Sequence, residues 1–284
     1  MAQSEWLLFI GAALMYAVSA VFYIYCLVFE REDRLKYGMN TAALGLLLHS
    51  VSLAIRWIEA GHGPYIAMYE VLSSYVWVSV AFFLLVHHRY ERIRIAGAIV
   101  MPVAFLIMGV GSTYSRDITL MPASLRSFWL AAHVGFAKLA FGSVLVAVGI
   151  AVRYILKERA NVQTGEPEER HEDSLISRLP SLDAMDDLLY RFIASGFLFL
   201  TVMIGAGAIW ANQTWGRYWG WDPIETWSLI TWFIYGIILH IRMNAGWRGK
   251  RIAMLVILSI FVLAFSAFGV GYVYSGLHAG YLTS

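Results

Sequence analysis

Apolar stretches as long as a bilayer's hydrocarbon layer is thick recur along the whole chain, and very few folds can accommodate them. Eight such runs lie at about 5–29, 40–58, 66–87, 94–112, 128–153, 190–211, 224–243 and 252–275. In lipid, backbone amides must bond within their own helix or around a closed barrel. A barrel would show weak alternating segments of about 10 residues, and these runs are continuous and longer. The composition agrees, with 60% hydrophobic and 14% charged residues where a soluble domain carries about a quarter charged. The expected fold is therefore all-α, a polytopic membrane protein of about eight transmembrane helices, as a single integral membrane domain over 1–284. The first run, Trp6 to Phe29, has no basic n-region and no clear cleavage site, which favours a retained helix over a signal peptide.

Composition also excludes several functions. The one cysteine, Cys26, lies inside the first apolar run, so the chain holds neither a disulfide nor a Cys-x-x-Cys pair. It lacks Cys-x-x-Cys-His as well and is not itself a c-type cytochrome. Its net charge is +2 without a basic block, and no nucleic-acid partner is expected.

Orientation follows from lysine and arginine. With the N-terminus outside, 16 of the 21 fall in inner loops, and Arg56, Arg116, Arg126 and Arg217 stay outside, with Lys138 inside a span. That asymmetry obeys the positive-inside rule and puts both termini on the outer side. Residues 157–187 then form a polar cytoplasmic loop or loose helix, and residues 212–227 an external tryptophan-rich loop.

This topology sorts the eight histidines. His87, His88 and His171 are interfacial or solvated on the inner side, and His62 suits an outer turn. His133 and His278 are 145 residues apart, yet both come to the outer interface beside the tryptophan loop. Imidazoles there suit axial ligation of haem iron, or simply bonding to backbone or water. His49 and His240 lie within spans, where ionisable groups usually face a cavity or a partner. At 1.5 Å per residue, His240 sits roughly 20–25 Å below the outer end of its helix and His49 roughly 14 Å above the inner end. Both depths are in the inner half of the bilayer, so the two can share one buried haem, or each can hydrogen-bond within the bundle. Lys138, five residues inward of His133, can bond a carboxylate in a cavity or snorkel outward.

The loop contains Trp215, Trp219, Trp221 and Trp227, with Gly216 and Gly220 between them. An interfacial belt of anchors is one reading. A folded platform is the other: belts rarely put four tryptophans in 13 residues, and glycine permits the tight turns a platform needs. A flat apolar disc with carboxylates, such as a porphyrin, suits that surface together with Arg217. "DPIE" has a local explanation too, with Asp222 as helix N-cap, Pro223 at N1 and Glu225 closing a capping box.

The run "WGRYWGWDPIETWSLITW" resembles the WWD signature of haem-handling membrane proteins, in the form found in the CcsA (ResC) family of system II cytochrome c biogenesis. "GHGPYIAMYEVLSSYVW", "SFWLAAHVGF" and "YSGLHAGY" are similar to that family's other characteristic segments, in the same order. Ile224 and Met68 stand where the family commonly has Lys and Asn. The resemblance implies a subunit of a holocytochrome c synthase, acting with a CcsB (ResB)-type membrane partner and thiol-reducing proteins. Its substrate would be haem b, attached to apocytochromes bearing Cys-x-x-Cys-His. His133 and His278 would be axial ligands at an outer site. His240, paired with His49 or with a histidine of the partner, would ligate at an inner one. Trp215, Arg217, Trp219, Trp221, Asp222 and Trp227 would form or position the platform, and no catalytic acid or base is implied. The setting would be the bacterial cytoplasmic membrane with the site facing outward, or the thylakoid membrane in a plastid. A haem carrier of the CcmC type, presenting haem without thioether formation, is the alternative. A transporter with tryptophan anchors is a blander third.

Overall fold

The computed structural model describes residues 2–29, 31–118, 120–164 and 180–277. His171 and His278 lie outside them. The described residues are all helical or irregular, without a strand. The helices are α1 (Ala2–Val28), α2 (Leu35–Ala60), α3 (Met68–Arg89), α4 (Gly97–Gly111), α5 (Phe128–Thr164), α6 (Leu182–Trp215), α7 (Pro223–Asn244) and α8 (Lys250–Ala264). A π-helical turn, Phe265–Gly269, joins α8 to a last short helix, α9 (Val270–Val273).

Among the described residues, seven helical segments are long and apolar enough to cross a bilayer. They correspond to seven of the eight expected spans. The eighth, α4, has only 15 residues, or about 22 Å. A 3-10 turn at Glu91–Ala96 precedes it; with Glu91, Arg92 and Arg94 that turn is charged, so the apolar length is that of the helix alone. The chain is thus a multi-pass membrane protein. Its outer surface suits lipid: Leu7, Leu14, Val21 and Val28 recur every seventh residue along α1 and are all exposed.

Helices α5 and α6 form the central pair and pack on each other along their length. They have 37 and 34 residues, about 55 and 51 Å, more than a bilayer needs. Both ends of the polar stretch 157–187 are therefore helical. Ionic contacts explain the extension. Lys157 is buried and donates to the Pro180 carbonyl at 2.9 Å. Buried Asp186 takes Arg242 at 2.8 Å and the Gly249 amide at 2.9 Å, tying the α7–α8 connection to the first turns of α6.

Without hydrophobic drive inside lipid, helices meet where small residues let backbones approach. A Cβ at Gly149 of α5 would lie 2.7 Å from the Ala96 backbone ahead of α4, and one at Gly45 of α2 would lie 2.8 Å from the Tyr16 ring of α1. The chain α1–α2–α3–α4 wraps one side of α5, and α6, α7 and α8 cover the other. The site lies at the end where α2 meets α3, α5 begins, α6 ends and α7 begins.

Candidate functional site

The tryptophan loop is held by its own backbone. Helix α6 stops at Trp215 because Gly216, at φ 72°, takes the left-handed conformation and donates to the Asn212 carbonyl, a glycine C-cap. Trp221 then adopts φ 58°, the one non-glycine residue with positive φ among those described, which is strained for a bulky side chain. Asp222 caps α7: its Oδ1 accepts from the Ile224 amide at 3.0 Å. Glu225 Oε2 accepts from the amides of Asp222 (3.1 Å) and Gly220 (2.8 Å). The expected capping box is present, and through Gly220 it extends two residues further back into the loop. The second Asp222 oxygen accepts from the Leu277 amide at 2.7 Å, so one buried carboxylate fixes both the loop and the chain just before His278.

Beside the loop lies a cavity of about 190 Å³, walled by α3 and the segment before it, α5, α6, α7, and the end of α8 with the π-helical turn and α9. His133, Trp210, Tyr65, Tyr75 and Phe268 are among its lining residues, with hydroxyls from Ser228, Thr231 and Ser266. Among the described residues, none that lines it is Asp, Glu, Lys or Arg. A narrow crevice beside it shares His133, Met203, Trp210 and Ser228 as lining and adds Tyr218, Trp219 and Glu225. The described residues thus bring His133 and the loop to one continuous surface.

His133 is oriented by its neighbours. Its Nδ1 lies 2.8 Å from the Met203 carbonyl; a carbonyl only accepts, so Nδ1 carries the proton and Nε2 the lone pair, the arrangement of an oriented metal-binding imidazole. One turn beyond Met203 on the same helix, a Cβ at Gly207 would sit 2.5 Å from Nδ1. Trp210 packs at 5.0 Å on Trp215 and donates Nε1 to the Ser124 carbonyl at 3.1 Å. It joins Ile66, Leu125 and Leu130 in a small apolar cluster under the loop.

A buried ion pair braces the far wall. Arg56 Nε meets Glu70 at 2.8 Å, with both side chains nearly sealed. The Arg56 guanidinium also donates to the carbonyls of Arg116 and Asp117, and Glu70 accepts from the amides of Ile66 and Ala67. His62 stands 3.9 Å from the same carboxylate. This network sets Tyr65 and Ile66 against the cavity. Burial, and next the Glu70 charge, push the Tyr65 phenol above its ordinary pKa.

A family model described as "Cytochrome C assembly protein" matches residues 65–278. The cytochrome c biogenesis protein CcsA of Trieres chinensis is 35% identical over 268 residues, covering 85% of each chain. The chain belongs to the CcsA family of cytochrome c assembly proteins. CcsA of Parasynechococcus marenigrum (strain WH8102) is 34% identical over 261 residues, 84% of each chain. Among solved structures, "Cytochrome c Heme Lyase CcmF" superposes with TM-score 0.71 at 16% identity, over 98% of this chain and 48% of that one. The likeness to CcmF is one of fold, and this chain spans about half of CcmF's length. It is accordingly a multi-pass membrane protein of cytochrome c biogenesis.

In this CcsA-family fold the expected site residues fall into distinct settings. His133 and Trp219 line the crevice. Trp215 packs beneath the loop on Trp210, and Trp227 packs at 4.7 Å on Phe265, the first residue of the π-helical turn. Trp221 is 70% exposed, edge-on to Trp219 at 5.8 Å. Arg217 is exposed and folds its guanidinium over Gly220, where a Cβ would meet it at 2.6 Å. Asp222 acts through the two ties described above. His278 lies outside the described residues.

His49 and His240 occupy different surroundings. His49 is fully buried, with Tyr16 Oη at 3.2 Å from Nδ1 and Ser73 Oγ at 2.8 Å from Nε2. It joins α2 to α1 and α3. His240 is exposed on α7, with Nδ1 at 2.9 Å from Asn244 Nδ2. Trp210, Tyr65 and Met203 belong to the site and were not anticipated from the sequence. Trp210 carried a signal, since it stands five residues before Trp215 at the same helix end; the Met203 carbonyl carried none.

Among the described residues, no group of three or more His, Cys, Asp or Glu could hold a bare metal ion. A porphyrin iron asks less of the protein, because one or two axial imidazoles suffice. Oriented His133, flat aromatic faces and an uncharged cavity fit that demand.

Proposed function

We propose that this chain is the haem-handling subunit of a cytochrome c synthase. It holds haem at the end of the bundle bearing the tryptophan loop and presents it to apocytochromes with a Cys-x-x-Cys-His motif. The observation that carries this reading is the single surface on which His133, Trp219 and Tyr218 meet, running into an apolar cavity. Membership of the CcsA family and the fold shared with CcmF support it.

Each residue has a role in that reading. His133, oriented by Met203, ligates the iron from one side through Nε2. His278 ligates from the other, its approach governed by the Asp222–Leu277 tie. The cavity is smaller than the roughly 300–1,000 Å³ of pockets that engulf a ligand, so it takes one edge of the ring. Tyr218, Trp219 and Trp221 cover the remainder from outside, while Trp215, Trp227 and Arg217 hold the loop in shape. Bound haem supplies vinyl groups, to which the apocytochrome thiols add. The chain's part is to fix the ring's position and exclude water from its apolar edge.

A second, inner haem position uses His240. Its exposure on α7 directs it to a histidine of a CcsB-type partner, whereas His49 is engaged within its own bundle. In this reading the loop end is the outer side, which the lysine and arginine distribution favours, in a bacterial cytoplasmic membrane or a thylakoid.

The test is spectroscopic. Purified protein should show a Soret band that is lost in a His133→Ala, His278→Ala double variant. Coexpression with a CcsB-type partner and an apocytochrome should yield covalent haem. A colourless preparation that takes up no added haem overturns the reading. Binding of haem without thioether formation in the coexpressed system overturns the synthase assignment in favour of a carrier.

A further inference from the structure

Lys138 is a cation that the bundle buries without pairing. It lies on α5 five residues beyond His133, about 7.5 Å further along the axis, and only 6% of it is exposed. Its Nζ stands 5.9 Å from the centroid of the Tyr75 ring. Among the described residues it has no hydrogen-bond or ion-pair partner. The carboxylate whose charge reaches it, Glu70, is already bound by Arg56 at 2.8 Å. An ammonium buried at membrane depth is costly unless an anion answers it. Snorkelling, which buries the stem and keeps the charged head in water, is the usual relief, but with only 6% of the whole residue exposed little of the head can reach water.

Its position relative to the cavity points to the missing anion. On α5, Val134, Ala137 and Phe141 line the cavity; Lys138 follows Val134 by four residues and precedes Phe141 by three, so it adjoins the same helix face. The Tyr75 ring it rests on is part of the cavity wall, held edge-on by Phe141 and Phe268 at 5.6 and 5.0 Å. Lys138 does not itself line the cavity; it lies against the Tyr75 ring that does, and so stands next to a wall without a charged residue among those described.

We propose that Lys138 is a binding residue for a carboxylate at the deep end of the cavity, reached past the Tyr75 ring. The ligand class is a planar, mostly apolar acid. The inference rests on the haem reading above, in which the acid is a propionate; it orients the ring with one propionate inward and the opposite edge, which bears the vinyl groups, toward the loop.

The experiment compares haem with its propionate dimethyl ester, titrated into purified protein and followed by absorbance. Wild type should bind the free acid about tenfold or more tighter than the ester, the range expected for a charge-assisted hydrogen bond. Lys138→Met should abolish that preference by weakening the acid alone, with an unchanged Soret position because His133 still ligates. Lys138→Arg should keep most of the preference. Wild type that binds both ligands equally overturns the subsite, with no variant needed. So does Lys138→Met that keeps the preference, or one that weakens acid and ester alike. Wild type that binds neither ligand overturns the haem reading and the subsite together.

Discussion

His133 owes its position to the missing side chain at Gly207. A methyl group there would come within 2.5 Å of Nδ1 and 2.9 Å of Cε1, so the imidazole could not keep its bond to the Met203 carbonyl. Gly207→Ala is expected to destabilise the protein by about 1–3 kcal/mol, the usual cost of overpacking, and to alter the haem spectrum as His133→Ala does. Gly205→Ala, two residues away on the same helix with nothing within 4 Å of the new atom, should leave both unchanged. Thermal unfolding and a haem titration of the two variants check this, and a wild-type spectrum from Gly207→Ala would remove the Met203 contact from the account. Trp221 is the converse case, a bulky residue where glycine would be comfortable. Trp221→Gly should unfold at higher temperature than Trp221→Ala, by about 1–2 kcal/mol of left-handed strain, while both lose haem affinity equally. Equal stability of the two would mean that the φ of 58° carries no cost.

At the level of elements, the start of α7 does two jobs with one carboxylate. The local job was legible in the sequence, because N-cap, proline and N3 glutamate are neighbours and their geometry follows from helix termini alone. The other job, accepting from Leu277, joins residues 55 apart in sequence and has no local signature. Asp222→Ala should cost about 1–2 kcal/mol for the cap and further stability for the Leu277 amide left without its acceptor. Beyond stability, it should weaken ligation by His278 more than by His133. The readout is the fraction of six-coordinate low-spin iron at saturating haem. Glu225→Gln, which keeps an acceptor for the Gly220 and Asp222 amides, should retain that fraction. If Asp222→Ala destabilises the protein and leaves iron coordination intact, the carboxylate is only a cap.

For the whole molecule, hydropathy carried most of the fold, since each span is a long unbroken run. It was least informative at α4, where the apolar helix has only 15 residues and follows a charged 3-10 turn, and at 157–187. There the charges that looked solvated are partly internal, as Lys157 and Asp186 show. Of the candidate site, the sequence made His133 and the tryptophans legible, where chemistry and topology coincide, and not the contacts that depend on which helix neighbours which. Depth alone made His49 and His240 plausible partners; their surroundings differ, one sealed among α1, α2 and α3 and the other exposed on α7. That difference has a measurable consequence in a complex with a CcsB-type partner. His240→Ala should remove one haem signal from the complex, spare the His133 site, and leave stability within about 0.5 kcal/mol, as for other exposed positions. His49→Ala should instead cost about 2–5 kcal/mol, because Tyr16 and Ser73 lose a buried partner, and the surviving folded complex should keep the His240 signal. Absorption spectra of the two complexes at matched protein concentration decide between them. If folded His49→Ala complex loses the same signal as His240→Ala, the two histidines share one iron, and the pairing of His240 with the partner is wrong.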